Sequence, residues 1–146
     1  MVIMAITDKD RALLALLSEN ARMPVAELAR RLGLSRTTVQ ARIERLETDG
    51  VIAGYGLRLS ETYLSGLVRA HVLITIGPKA LPSVTAALAA IKEVITLHSV
   101  SGTFDLIAIL SAPSILELDR LIDRIGALDG VERTLSSIIL STRISR

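Results

Sequence analysis

The apolar residues of this chain change period once, close to residue 60, and that change constrains its fold more than any other feature. Before it they recur three or four apart, as on one face of a helix. After it, runs that alternate every second residue are interspersed with further helical runs. One continuous layer cannot absorb both periods, so two differently built segments are predicted within the 146 residues. That length suits one large or two small domains. Half the residues are apolar, which excludes a chain too polar to offset the entropy of ordering.

The first segment reads as three short helices. Thr7 followed by Asp10 is a variant of the capping box and starts a helix whose Leu13, Leu14 and Leu17 form one stripe, with Asn20 as its stop. Pro24 suits the first turn of a second helix, which turns Leu28, Ala29 and Leu32 inward and ends at Gly33. Ser35 caps a third, with Val39, Ile43 and Leu46 buried and Gly50 closing it. Three helices joined by turns of a few residues, with apolar Leu34 between the last two, form the helix-turn-helix pattern. Its recognition helix enters the major groove of double-stranded DNA by its N-terminal end.

Net charge is only +2, but its distribution is uneven. Arg30, Arg31, Arg36, Arg42 and Arg45 face a single acid, Glu44, between residues 30 and 45. With the Val39-Ile43-Leu46 stripe inward, Thr37, Ala41, Glu44 and Thr48 point most directly outward. Thr38 and Arg45 flank them on one side and Gln40 on the other, while Arg36 and Arg42 lie nearer the core edge. Arginine can read guanine and glutamine adenine, so Arg36, Thr37, Thr38, Gln40 and Arg45 are candidates for base-edge or nearby phosphate contacts. Arg42 is read as a phosphate or structural contact, and Ser35 as a helix cap that can also donate to a phosphate. Glu44 would repel phosphate, which confines contact to the first two turns.

Residues Val51 to Leu59 are β-prone and punctuated by Gly54 and Gly56, consistent with a short strand or wing and then a linker. The Gly-x-Gly lacks both the third glycine and the following helix of a dinucleotide site. After the polar Ser60-Glu61-Thr62, residues Val68, Ala70, Val72, Ile74 and Ile76 alternate as a strand ending at Gly77-Pro78. A helix with Leu81, Val84, Leu88 and Ile91 follows, then strands over 94–100 and 104–110. Ser114 with Glu117 opens a second helix bearing Leu118, Leu121, Ile122 and Ile125, and Asp129-Gly130 leads into a last strand over 131–142. The order β-α-β-β-α-β is the ferredoxin-like arrangement, with helices on one sheet face only. Yet Leu73, Ile107 and Ile109 make the other face apolar too, which implies a second copy of the chain packing there.

Several chemistries are excluded. Without cysteine there is no disulfide, thiolate metal site or cysteine nucleophile. His71 and His98 read as strand-surface or interface residues rather than metal ligands. Three aromatic residues, Tyr55, Tyr63 and Phe104, do not furnish a stacking platform for single strands. Apolar runs such as Leu106 to Leu110 are far shorter than a membrane span. The apolar start Met1 to Ile6 has neither a basic beginning nor a cleavage pattern, so a cytoplasmic protein is expected.

Taken together, Asp8 and Asp10 with Leu13-Leu14, Asn20-Ala21-Arg22, Glu27-Leu28-Ala29, Leu32-Gly33-Leu34-Ser35, Arg42-Ile43, Arg45-Leu46-Glu47 and Gly50-Val51-Ile52-Ala53-Gly54-Tyr55 resemble the Lrp/AsnC family of bacterial and archaeal regulators over nearly the whole chain. The resemblance implies an α+β protein. Its parts are a winged helix-turn-helix domain (1–52), a short strand and linker (53–66), and a ferredoxin-like effector-binding and oligomerisation domain (67–146). It also implies a transcription factor built from homodimers, assembled into an octamer and answering an amino acid or related metabolite bound between dimers, with no other cofactor. Ser101, Gly102, Thr103, Phe104 and Asp105 look like the family's glycine-x-aromatic-aspartate turn near that pocket, although Thr103 replaces the acid often found there. Thr134 and Ser136 match its alternating threonine positions. A tight link needing a permissive backbone at Gly102 and a turn cap at Asp105 are the alternatives to ligand contact. Two other functions share this architecture: a siroheme-decarboxylase-like enzyme, and a ligand-sensing assembly partner with little DNA binding of its own.

Overall fold

The computed structural model describes residues 5–146. Met1 to Met4, which carry most of the apolar start, lie outside the described residues. The chain forms two compact units, Met1–Arg58 and Leu59–Arg146.

In the first unit, α1 (Asp8–Glu19), α2 (Val25–Leu32) and α3 (Arg36–Thr48) follow the predicted stripes. Leu13, Leu28, Ala29, Leu32, Val39 and Leu46 form the buried core, with Leu14, Leu17, Leu34 and Ile43 packed around it. The capping box on α1 is complete: Thr7 Oγ1 accepts the Asp10 N–H and the Asp10 carboxylate accepts the Thr7 N–H. Pro24 precedes α2 rather than opening it. Its ψ of 143° is extended, and its carbonyl takes the N–H of Leu28. Gly33 ends α2 in the left-handed region at φ 64°.

The predicted wing is absent. No strand forms among the described residues of this unit, and Val51 to Leu59 leave α3 without regular structure. The reason is pairing. A wing needs two paired strands, and among the described residues of this unit the β-prone run has no second strand to bond to.

The second unit begins with α4 (Glu61–Leu64), one turn capped by Ser60, in a stretch read from sequence as linker. Then follow β1 (Val68–Ile76), α5 (Leu81–Ala89), β2 (Val94–Ser99), β3 (Leu106–Ala112), α6 (Ile115–Gly126) and β4 (Val131–Ile139). The sheet order is β2-β3-β1-β4 with every neighbouring pair antiparallel, the ferredoxin-like topology. β3 starts two residues later than predicted because Phe104 and Asp105 belong to the preceding turn. β4 stops at Ile139 rather than Thr142 because Ile139 already faces Arg69, at the start of its partner β1.

Alternation sorts the two sheet faces. Ala70, Val72 and Ile74 of β1 and Leu106, Ala108, Leu110 and Ala112 of β3 are buried against Val84, Leu88 and Ile91 and against Leu118, Leu121 and Ile125 of α6. The opposite face carries His71 and Leu73, paired across with Ile109 and Ile107 on one side and with Ser137 and Leu135 on the other. No helix of this unit covers that row, and Leu135 is 56% exposed.

Candidate functional site

The helix-turn-helix presents α3 with its first turn free. Ser35 Oγ accepts the Thr38 N–H at 3.1 Å and pairs with Thr38 Oγ1 at 2.8 Å, so both hydroxyls serve the helix start. Arg36, Thr37, Gln40, Ala41 and Glu44 line one cleft together with Val25 of α2. Arg36 and Thr37 make no side-chain hydrogen bond among the described residues, whereas Gln40 Nε2 donates to Glu44 Oε1 at 3.3 Å. That contact turns part of the glutamine amide along the helix and occupies the acid that would oppose a phosphate.

Arg42 and Arg45 have different surroundings. Asp10 is fully buried and is the one buried charged residue among the described residues. Its Oδ1 accepts Arg42 Nη1 at 2.8 Å, and its Oδ2 accepts Arg45 Nη2 at 2.6 Å and the Thr7 N–H at 3.0 Å. Burial alone would raise the Asp10 pKa. The hydrogen bonds from Thr7, Arg42 and Arg45 outweigh burial and hold it well below the usual carboxylate range. The half-buried Glu27 similarly binds Arg30 and Arg31, whose guanidinium groups draw its pKa down to about 2.

Sequence reasoning placed Asp10 only as a capping residue. The signal for more was available: an acid at the third position of a helix facing two arginines three apart on another. Only the packing of α1 against α3 brings them within bonding distance.

In the second unit the turn before β3 is tied down by Asp105. Its N–H donates to the Ile74 carbonyl, its carbonyl accepts the Val100 N–H, and its Oδ2 accepts the Ile76 N–H at 2.9 Å. Gly102 occupies φ 116°, a region that a side chain rarely enters. Ser101, Gly102 and Thr103 are exposed, and the Phe104 ring lies 5.2 Å from the Arg133 guanidinium, within range of a cation–π contact.

A cleft of about 540 Å³ opens beside this turn, lined by Asp105, Lys79, Glu132, Ser99 and the Gly77-Pro78 corner. Of the residues singled out from the sequence here, Asp105 alone lines it. Thr134 and Ser136 pair with Ile74 and Val72 on the helix-facing side of the sheet. Lys79 and Glu132 were not singled out, since an isolated lysine after a proline and an acid in a strand carry no motif. His71 and His98 lie opposite Ile109 and Ile107 on the uncovered face, and no group able to hold a metal ion occurs among the described residues.

A capped reading helix on one unit and a polar cleft on a ferredoxin-like second unit define a ligand-responsive DNA-binding protein as the class. Residues 6–47 match the AsnC-type helix-turn-helix domain and residues 69–146 the Lrp/AsnC ligand binding domain. The chain belongs to the Lrp/AsnC family of transcriptional regulators.

It is 37% identical to the HTH-type transcriptional regulator LrpA of Mycobacterium tuberculosis, over 94% of this chain and 92% of that protein. Among solved structures, Escherichia coli AsnC superposes with a TM-score of 0.86 at 30% identity, covering 98% of this chain and 97% of that one. A feast or famine regulatory protein from M. tuberculosis, complexed with L-methionine, superposes with a TM-score of 0.83 at 35% identity, covering 97% and 96%. No helix among the described residues is long and apolar enough to cross a membrane.

Proposed function

We propose that this chain reads double-stranded DNA through the first two turns of α3, as a regulator rather than an enzyme. One observation carries the reading: the capped N-terminus of α3 presents Arg36, Thr37 and Gln40 at an open cleft, the end by which a recognition helix enters the major groove. Ser35 and Thr38, which cap this end, add contacts to phosphate. Residues 1–52 act as the DNA-binding part, 53–66 as the connection, and 67–146 as the effector-binding and oligomerisation part of a cytoplasmic protein. Homodimers form through the uncovered apolar sheet face and assemble further, to an octamer. In each dimer two reading helices stand about one DNA turn apart, roughly 34 Å, on a pseudo-palindromic site.

The effector is an amino acid or a close relative of one. Lys79 and the Glu132 and Asp105 carboxylates line the cleft beside the Ser101–Asp105 turn, a charge pattern suited to a zwitterion. The complex of the M. tuberculosis relative with L-methionine supports that class. Such a ligand shifts assembly only by the difference in its affinity for the assembly states.

The test is fluorescence anisotropy against a library of duplexes at several salt concentrations. Arg36→Ala and Gln40→Ala should each relax preference at particular base pairs, costing about 1–3 kcal/mol. Equal affinity of wild type and both variants for every duplex would refute the reading.

A further inference from the structure

Five arginines between residues 30 and 45 suggest a broad positive face, but the structure pairs four of them with acids. Arg30 and Arg31 share Glu27, and Arg42 and Arg45 share Asp10. Arg36 has no acidic partner among the described residues. The two pairings differ in kind. Glu27 lies in an exposed i, i+3 and i, i+4 arrangement within α2, of the sort that contributes little and yields readily to a phosphate. Asp10 reaches across from α1, is wholly out of solvent, and takes three donors on its two oxygens.

The stripe that seats α3 consists of Val39, Ile43 and Leu46, and apolar contact is non-directional. Aliphatic side chains hold a helix down without fixing its rotation sharply. Two guanidinium groups three residues apart on α3, each directed to a different oxygen of one buried carboxylate, do fix it. Arg45 is half-exposed, and a rotation that carried its guanidinium away from Asp10 would strip Oδ2 of a 2.6 Å charge-assisted bond, leaving a buried charge short of a partner. Arg42 is held further, since its Nη1 also donates to Thr7 Oγ1 at 3.2 Å and its Nε is buried without an acceptor. Moving this side chain out toward DNA would leave Asp10 Oδ1 buried without its donor.

We propose that Asp10 is a positioning residue for DNA recognition: its buried carboxylate sets the rotation of α3 and withholds Arg42 and Arg45 from the phosphates, leaving Arg36 as the cation of the reading surface. The proposal rests on the reading of α3 as the DNA-contacting helix. It makes Asp10 a determinant of discrimination, because two fewer free cations mean less sequence-independent attraction to any duplex.

The experiment compares full-length wild type and Asp10→Asn on a duplex selected by the wild type from a randomised library and on a scrambled duplex, across a salt series. Release of two guanidinium groups should steepen the log–log salt dependence on scrambled duplex by about 1 to 2, at about 0.9 per phosphate contact. Affinity for scrambled duplex should rise while preference for the selected one falls at least about tenfold. A residue with a merely structural role would weaken both duplexes together and leave the slope alone.

Arg45→Gln covers the case in which Asp10→Asn does not fold. A withheld Arg45 predicts an unchanged slope on scrambled duplex, whereas a phosphate-contacting one predicts a slope lower by about 0.9. A folded Asp10→Asn with wild-type slope and preference, or an Arg45→Gln slope lowered by a full contact, overturns the proposal. Selection of no preferred duplex by the wild type overturns the DNA-reading function and this inference with it.

Discussion

The uncovered sheet face offers the most quantitative test of assembly, through Leu135→Ala. Leu135 sits on β4 opposite Leu73, which in turn faces Ile107 on β3, in one apolar row that no helix of the unit covers. It is 56% exposed, so a little over half of the roughly 1.5–3 kcal/mol available from burying a leucine remains to be gained at an interface, about 0.8–1.7 kcal/mol. A two-fold interface uses the same patch on both subunits, so one substitution removes this contribution twice. The expected loss is about 1.7–3.4 kcal/mol, a rise in the dimer dissociation constant of roughly 20- to 300-fold.

Sedimentation across a dilution series reads this directly, as a shift of the monomer–dimer transition to higher concentration. Ile115 of α6, 66% exposed and in the helical layer rather than on the open face, is the control: Ile115→Ala should leave the transition in place. The part of Leu135 already buried within one chain is the smaller one, so the monomer should lose only about 1 kcal/mol of stability on truncation. An unchanged transition for Leu135→Ala, or a shift of equal size for Ile115→Ala, would refute the assignment of the interface.

Other outcomes follow from single contacts. Gly130→Ala should lower the urea midpoint of unfolding, since a β-carbon there meets Ala80 Cβ at 2.8 Å and Val84 Cγ2 at 3.1 Å with φ at 92°. Overpacking of this kind costs roughly 1–3 kcal/mol, and a midpoint equal to wild type would show that the α5–β4 corner yields freely. For pH, the folded Asp10 titrates below its unfolded value, so the unfolded chain binds more protons in between. The stabilisation is complete above the unfolded carboxylate value near 4 and is lost as pH falls through the lower folded one. Urea unfolding of the full chain should therefore lose stability below about pH 4 more steeply in wild type than in Asp10→Asn, which has no such group to protonate. Parallel losses in the two proteins would mean that other carboxylates govern acid unfolding.

Sequence alone determined the three helices of the first unit, the order of elements in the second and the caps at Thr7, Ser35 and Ser114, because these depend on residue spacing and on bonds between near neighbours. It also exposed the doubly apolar sheet, since alternation on β1 and β3 is visible in the order of residues. What it overstated was the wing: β-propensity in Val51 to Leu59 is a local property, whereas a strand requires a partner, and no partner strand forms among the described residues of this unit. Only tertiary structure decided the fate of the arginines. Helical spacing places Arg42 and Arg45 on α3, but whether they face phosphate or carboxylate depends on Asp10, more than thirty residues away. The same holds for Lys79 and Glu132, which reach one cleft because the topology sets the end of β1 and the start of β4 side by side. Contacts within a turn of helix are written in the spacing of residues, while a charge's partner across the fold is chosen by packing.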